Sequence, residues 1–328
     1  MSELVKVNDL RKWFPVRTGL FSRSKRRYIY AVDGVSFYIR EGEIFCLVGE
    51  SGSGKTTTGR LLLRLEKPTS GEILFEGKNI YSLDKKELKE FRRKAQMIFQ
   101  DPFSSLDPRM SVFDNICEGL IIHKIGSSRE ERINIVSKAL ESVALYPPEN
   151  FLFKYPHELS GGQLQRIAIV SALVLGPKFI VADEPVSMLD MSTRGSVIKT
   201  MLDLRRNMNM TFLLITHDLG LVKYIGDRVA VMYLGKIVEK GAAEDLIDAP
   251  YHPYSQALIS AVPSPDPKKK IGEVRIRGDI TMSLEVIKGC KFAPRCMLAD
   301  DECRRKEPEL IELSNGHYVA CHKAQANN

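Results

Sequence analysis

Residues 44–65 read IFCLVGESGSGKTTTGRLLLRL, a stretch that begins apolar, turns glycine-rich and ends with leucines. The apolar run at 44–49 predicts a buried strand, and the later leucines have the spacing of a helix. Between them, Gly49 to Thr56 match the pattern G-x-x-x-x-G-K-T in full. Glycines let backbone N–H groups turn inward around a phosphate, where the helix N-terminus adds its positive end. The stretch therefore predicts a phosphate-binding loop between a strand and a helix.

The residues of this loop have separate expected roles. Lys55 should pair with β- and γ-phosphate oxygens, and Thr56 should ligate Mg²⁺. A chance glycine-rich turn is the alternative, and the flanking strand and helix argue against it. The residues expected to bind nucleotide here are Gly49, Ser51, Gly52, Gly54, Lys55, Thr56 and Thr57.

A second apolar run, FIVADE at 179–184, places two acids at the carboxyl end of a predicted strand, where ligands bind in open α/β sheets. Asp183 suits an indirect hold on Mg²⁺ from outside its direct ligands, and Glu184 has the position of a general base acting on water. Acids after a strand also cap the next element, so the pair gains meaning from the phosphate loop upstream. Helices alternating with apolar runs predict an α/β fold with a largely parallel sheet.

The stretch LSGGQ at 159–163 opens another apolar helix. Ser160, Gly161 and Gly162 leave N–H donors and the positive helix end uncovered, which suits an anion. Because the chain already has a phosphate loop, these donors make sense if they face nucleotide bound to another chain. A helix cap with a flexible approach is the open alternative.

Length and composition set the outer limits. The 328 residues suit two folding units, and 44% apolar with 27% charged residues is an ordinary globular balance. No run approaches the roughly 18 apolar residues of a membrane span, and the start lacks a secretion signal, so we expect a cytoplasmic chain. The net charge of +7 includes basic runs at 23–27 and 268–270, which we interpret as solvated loops. A change in sequence composition near Tyr251 predicts one domain at 1–250 and a second at 251–328.

Four cysteines crowd the C-terminal region, with spacings C-x5-C, C-x6-C and C-x17-C: Cys290, Cys296, Cys303 and Cys321. A reducing cytosol disfavours disulfides and makes clustered thiols candidate metal ligands. Four thiolates suit an iron–sulfur cluster or zinc. Four reduced thiols in a small apolar subdomain are the alternative. Cys46 and Cys117 lie in apolar surroundings and are expected in the core.

The order of phosphate loop, LSGGQ and FIVADE resembles the ATP-binding subunit of an ABC transporter over residues 4–245. The resemblance implies an ABC-type nucleotide-binding domain with a mostly parallel core sheet, an antiparallel β part and a helical subdomain at about 100–175. It also implies a small Cys-rich C-terminal domain after residue 250.

The same resemblance implies further site residues. Gln100 would sense Mg²⁺ and the attacking water, His217 would contact the γ-phosphate, and the segment ending at Asp190 would cross a dimer interface. Phe14 or Tyr28 would stack on adenine. Ser160, Gly161, Gly162 and Gln163 would contact ATP held by the partner.

Several stretches are similar to the oligopeptide and dipeptide importer subfamily: QDPFSSLDPRMSV after residue 99, YHPYSQALISAVP after residue 250, GCKFAPRC and VACH. The resemblance implies peptide import with an external binding protein, two membrane permeases and a second, different ATP-binding subunit, at the cytoplasmic face of the inner membrane. It also implies a 4Fe-4S cluster on the four cysteines, with zinc as second choice and His317 or His322 as substitute ligands.

Other functions remain as alternatives at this point. Relatives of this subfamily also import oligosaccharides or nickel. A soluble ABC ATPase acting on nucleic acid or ribosomes usually has two nucleotide domains or long insertions, so no nucleic acid partner is expected. A metal-sensing module with ATP as a structural ligand conflicts with the presence of Glu184 and His217.

Overall fold

The computed structural model describes residues 2–16, 27–261, 278, 287–314 and 316–326. The basic run at 268–270, and all but Arg27 of the run at 23–27, lie outside the described residues.

The secondary structure follows the predicted alternation of strands and helices. The strands are β1 (Glu3–Val16), β2 (Arg27–Arg40), β3 (Ile44–Val48), β4 (Ser70–Phe75), β5 (Lys78–Asn79), β6 (Ala95–Ile98), β7 (Phe179–Asp183), β8 (Thr211–Thr216), β9 (Arg228–Tyr233), β10 (Lys236–Ala242), β11 (Ile311–Ser314) and β12 (His317–Val319). The helices are α1 (Lys55–Leu62), α2 (Lys85–Lys94), α3 (Pro102–Ser105), α4 (Val112–Ile122), α5 (Arg129–Ser142), α6 (Glu149–Leu152), α7 (Gly161–Leu173), α8 (Met191–Met208), α9 (Leu219–Ile225), α10 (Ala243–Asp248), α11 (Pro253–Ser260), α12 (Asp301–Arg305) and α13 (His322–Ala326).

The chain divides into two compact units. We call residues 2, 40–43 and 80–214 the helical unit, and the described residues of 3–39, 44–79 and 215–328 the sheet unit. Strand β8 is divided at Leu214, so that its first four residues belong to the helical unit and its last two to the sheet unit.

The sheet unit contains a four-stranded sheet of order β2-β1-β4-β5, in which β1 and β4 are antiparallel. In its other sheet, the order β11-β12-β10-β9-β3 places β3 parallel to β9, while β10 pairs antiparallel with both β9 and β12. Every residue of β3 is buried, as its unbroken apolar run predicts. This strand leads directly to the phosphate loop.

The helical unit is built around α7. This helix contacts α3, α4, α5 and α8, and its buried side chains include Ile167, Val170 and Leu173. Burial on more than one face of α7 explains why its sequence is apolar nearly throughout. Strands β6 and β7 form a parallel pair in the same unit.

The expected separate Cys-rich domain is not confirmed. The hairpin of β11 and β12 extends the main sheet of the sheet unit, because β12 pairs with β10 through Glu239↔Val319. Lys291, beside Cys290, donates to Asp33 of β2 at 3.0 Å and to Leu234 O at 2.8 Å. The described residues after 251 are therefore built into the sheet unit. The boundary near Tyr251 stays a prediction.

Candidate nucleotide-binding site

The phosphate loop needs glycine at two close approaches. Gly49 has φ 150°, and a Cβ there would lie 2.2 Å from Met232 O. Gly54, which caps α1, has φ 105°, and its Cβ would lie 2.0 Å from Ala31 O. Any larger residue would collide with backbone at both positions. Ser51 and Gly52 lie exposed at the tip, and Thr56 and Thr57 lie in the first turn of α1.

Lys55 is the buried cation of this loop. Its Nζ donates to Gly49 O at 2.7 Å, to Glu50 O at 2.9 Å and to Ser53 Oγ at 3.4 Å. These partners are neutral oxygens, so phosphate oxygens are stronger partners for the same ammonium group. The loop thus holds its lysine folded back against its own carbonyls.

Glu50 is a loop residue that sequence reasoning did not single out. Its backbone N–H donates to the hydroxyl of Tyr254 at 2.9 Å. Its carboxylate accepts two hydrogen bonds from Arg295, at 3.0 and 3.3 Å. The two partners come from beyond residue 250, and no local pattern links them to the loop.

In the helical unit, Gln100 and Glu184 lie together. Gln100 Nε2 donates to Glu184 Oε2 at 3.0 Å. Asp183, the last residue of β7, is 5% exposed, whereas Glu184 is half-buried. Glu184 has φ 47°, a left-handed conformation that is uncommon for a non-glycine residue and is typical of functional sites. The pair can orient a water molecule between an amide and a carboxylate.

The LSGGQ segment caps α7 through hydrogen bonds between two of its own residues. Ser160 Oγ accepts from Gln163 N at 3.3 Å, and Gln163 Oε1 accepts from Ser160 N at 3.0 Å. This capping box occupies one of the donors that the sequence suggested were uncovered. A Cβ at Gly161 would meet nothing within 4 Å, so this end of α7 stays open there.

Gly162 and Asp190 meet at the same place in the helical unit. A Cβ at Gly162 would lie 2.2 Å from Thr193 Cγ2. Asp190 caps α8 by accepting from Thr193 N at 3.0 Å and from Thr193 Oγ1 at 2.7 Å. The two expected dimer-interface segments are thereby packed on each other through Thr193.

The remaining expected residues lie in the sheet unit. His217 is exposed and directly follows β8. The ring of Phe14 lies 4.7 Å from Lys12 Nζ. Tyr28 lies 6.4 Å from the ring of Trp13, an aromatic residue that sequence reasoning did not consider. Either candidate adenine platform stays a prediction.

The four C-terminal cysteines line one cavity of about 10 Å³, together with His322. Burial raises the pKa of Cys290 to about 11, and it also raises the pKa of Cys296 and Cys303. Within residues 2–16, 27–261, 278, 287–314 and 316–326, no group of three or more His, Cys, Asp or Glu side chains is arranged to hold a metal ion. Thiolates are soft donors, and the four thiols share this cavity without the arrangement of metal ligands. His317 instead lies 2.7 Å from Glu239 Oε1, and Cys46 and Cys117 are buried as expected.

Two family matches cover different parts of the chain. Residues 32–187 match the ABC transporter family, and residues 238–303 match the oligopeptide/dipeptide transporter C-terminal region. The oligopeptide transport ATP-binding protein AppF of Bacillus subtilis is 46% identical over 97% of both chains. A second Bacillus subtilis protein named for oligopeptide transport, YkfD, is 47% identical over 92% of both chains. The chain belongs to the ABC transporter family.

Solved ABC proteins share the fold. The dimeric ATP-binding cassette MJ0796, in a post-hydrolysis state bound to ADP and Pi, has a TM-score of 0.64 and 31% identity, covering 73% of this chain and 98% of its own. CbiO1 of Clostridium perfringens has a TM-score of 0.64 and 27% identity, covering 76% of this chain and 92% of its own. As an ABC ATPase, the chain takes ATP and Mg²⁺ as ligands. None of the helices that the structure describes is both long and apolar enough to cross a membrane.

Proposed function

We propose that this chain is the ATP-hydrolysing subunit of a transporter that imports oligopeptides or dipeptides. The observation that carries the ATPase assignment is the Gln100–Glu184 hydrogen bond of 3.0 Å, in a chain that also holds a complete phosphate loop. The peptide assignment is supported by relatives named for peptide transport over more than nine-tenths of the chain. No finding favours oligosaccharides, nickel or nucleic acid.

The chemistry follows from the contacts of each residue. Lys55 exchanges the carbonyls of Gly49 and Glu50 for phosphate oxygens of ATP. Glu184 accepts a proton from water as it attacks the γ-phosphate, while Gln100 orients that water. Thr56, Gln100 and Asp183 would hold Mg²⁺, which would shield the phosphate charge. His217 is the proposed γ-phosphate contact.

Two such subunits are proposed to enclose two ATP molecules. Each ATP would lie between the phosphate loop of one chain and Ser160, Gly161, Gly162 and Gln163 of the other. Support comes from the open space beside Gly161 and from the dimer described for MJ0796. The subfamily resemblance favours a partner that is related rather than identical.

The helical unit offers a surface for the membrane permeases. Many large apolar side chains that are more than a third exposed lie there, from the residue before Gln100 onward, and they include Phe99, Phe103, Ile121, Ile122, Tyr146, Phe153 and Tyr155. Apolar side chains of this size supply the contact area that protein–protein interfaces bury. Permeases bound here would hold the chain at the cytoplasmic face of the inner membrane, and an external binding protein would deliver the cargo.

The four converging thiols are proposed to hold a 4Fe-4S cluster, with zinc as the second choice. Anaerobic purification followed by measurement of iron, sulfide and zinc tests this assignment. About four irons per chain, lost in Cys290→Ala and retained in the control Cys117→Ala, is the expected result. Absence of metal from wild type would remove the assignment without affecting the ATPase.

Uptake into vesicles tests the transport function. Vesicles containing both permeases and both ATP-binding subunits should accumulate a labelled tripeptide only with ATP and the binding protein. Lys55→Ala should abolish uptake, whereas the exposed control Lys85→Ala should retain it. Uptake of an oligosaccharide or Ni²⁺ in place of peptide would contradict the cargo assignment.

A further inference from the structure

Every polar group of Glu50 has a partner. Its N–H donates to Tyr254, its carbonyl accepts from Lys55 Nζ at 2.9 Å and from Ser53 N at 3.2 Å, and its carboxylate pairs with Arg295. Glu50 is the second residue of the phosphate loop, so these bonds fix the backbone where the loop leaves β3. Only the bonds to Lys55 and Ser53 come from within the loop.

Among the partners of Glu50 that lie outside the phosphate loop, Arg295 makes the charged contact. Its side chain is 9% exposed and faces the Glu50 carboxylate as a fork, with N–O distances of 3.0 and 3.3 Å. Its third nitrogen, Nε, donates to Gly278 O at 3.2 Å, and its guanidinium lies 5.9 Å from the ring of Tyr233. A planar guanidinium with this many partners has little freedom to move, so it fixes the carboxylate's orientation as well as its charge.

A second route joins the same C-terminal segment to the loop. Tyr254, whose hydroxyl accepts the Glu50 N–H, is fully buried. Its ring packs on Phe292 at 5.4 Å, and Phe292 also packs on Tyr233 at 5.3 Å. Phe292 and Arg295 both lie between Cys290 and Cys296. The segment 290–296 therefore reaches Glu50 through a packed aromatic cluster and through an ion pair.

The charge at Glu50 makes the ion pair matter for ATP. A carboxylate in a loop that binds phosphate repels the ligand unless a cation neutralises it. Arg295 supplies that cation and leaves the loop's N–H groups and Lys55 as the net electrostatic environment of the phosphates. It also holds in place the backbone whose donors must point at the ligand.

We propose that Arg295 is a positioning residue of the nucleotide site: by pairing with Glu50 it holds the phosphate loop in its ATP-binding form, so that the segment 290–296 sets the affinity for ATP. The proposal rests on the proposed function of the loop as the ATP site. Arg295 itself acts only through Glu50.

The test is the Kd of the full-length chain for a fluorescent ATP analogue with Mg²⁺. Arg295→Met should raise the Kd about tenfold, because contacting charged partners are coupled by an amount of this order. In the assembled transporter at saturating ATP, kcat should stay within about twofold of wild type, since Arg295 does not act on the reacting atoms. The exposed control Arg305→Met should bind ATP as wild type does.

The charge swap Glu50→Arg with Arg295→Glu makes the test independent of folding defects in the single variant. It should return the Kd to within about threefold of wild type, because the pair is restored with its ends exchanged. Arg295→Met with an unchanged Kd, or a swap that binds no better than the single variant, would overturn the proposal. Lys55→Ala distinguishes failure of this proposal from failure of the ATP-site assignment. If Lys55→Ala loses ATP binding while Arg295→Met keeps the Kd of wild type, only the positioning role of Arg295 is rejected.

Discussion

The buried carboxylate of Glu239 permits a stability prediction with a worked magnitude. Glu239 is 0% exposed and accepts from Tyr251 N at 2.7 Å and from His252 N at 3.0 Å, while its Oε1 lies 2.7 Å from His317 Nε2. It thus joins β10 to the start of α11 and to β12. Glu239→Ala leaves these three groups without an acceptor in a buried place. Each loss costs about 1–3 kcal/mol, and partial relaxation brings the expected total to roughly 3–5 kcal/mol.

Urea unfolding of the full chain, followed by circular dichroism, measures this cost. The midpoint should fall with little change in slope, and hydrogen exchange should quicken first in the β11–β12 hairpin. The control Glu141→Ala, on the exposed face of α5, should change stability by less than about 0.5 kcal/mol. A Glu239→Ala variant as stable as this control would refute the argument that Glu239 stabilises the fold by joining β10 to α11 and β12.

Two further predictions concern stability at and around the candidate site. His252 caps α11 by accepting from Tyr254 N at 3.0 Å, and burial lowers the pKa of His252 to about 4 from 6.5. Because the unfolded chain binds a proton at this imidazole at higher pH than the folded chain does, the free energy of unfolding should fall as pH drops from 6.5 towards 4, by roughly 2 kcal/mol at pH 5. His252→Asn keeps the cap and should lose this pH dependence in urea titrations. An equal fall in both proteins would contradict the prediction. Gly162→Ala should lower the free energy of unfolding by about 1–3 kcal/mol, because the added Cβ would meet Thr193. In the control Gly161→Ala the Cβ faces open space and should not destabilise the fold. Equal unfolding midpoints for the two variants would disprove the packing argument.

The local motifs were predictable because their chemistry is contiguous in sequence. Strand β3 ends at Val48 and α1 begins at Lys55, as the apolar run and the glycines of the loop predict. Asp183 ends β7, and α7 begins directly after Ser160, as the strand and helix patterns predict. In each case a short hydrophobic pattern beside a turn or capping residue predicts where the element ends or begins.

The long-range contacts were not predictable from one sequence. Glu50 and Arg295 are 245 positions apart, and Glu239 and His317 are 78 apart. Strands β11 and β12 have only four and three residues, too few to show an alternation that would indicate pairing with β10. The expectation of a separate C-terminal domain is not confirmed, and the pairing of β12 with β10 could not be foreseen, since a change in composition does not reveal which edge strand a hairpin extends.

ATP hydrolysis by Glu184→Gln tests the central claim most directly. Glutamine keeps an acceptor for Gln100 Nε2, now 3.0 Å from Glu184, but cannot take a proton from water. In the complete transporter, phosphate release should fall by about 10²–10⁴-fold while ATP binding stays unchanged. Hydrolysis at a near-normal rate would show that Glu184 is not the base and would contradict the account of how this chain uses ATP.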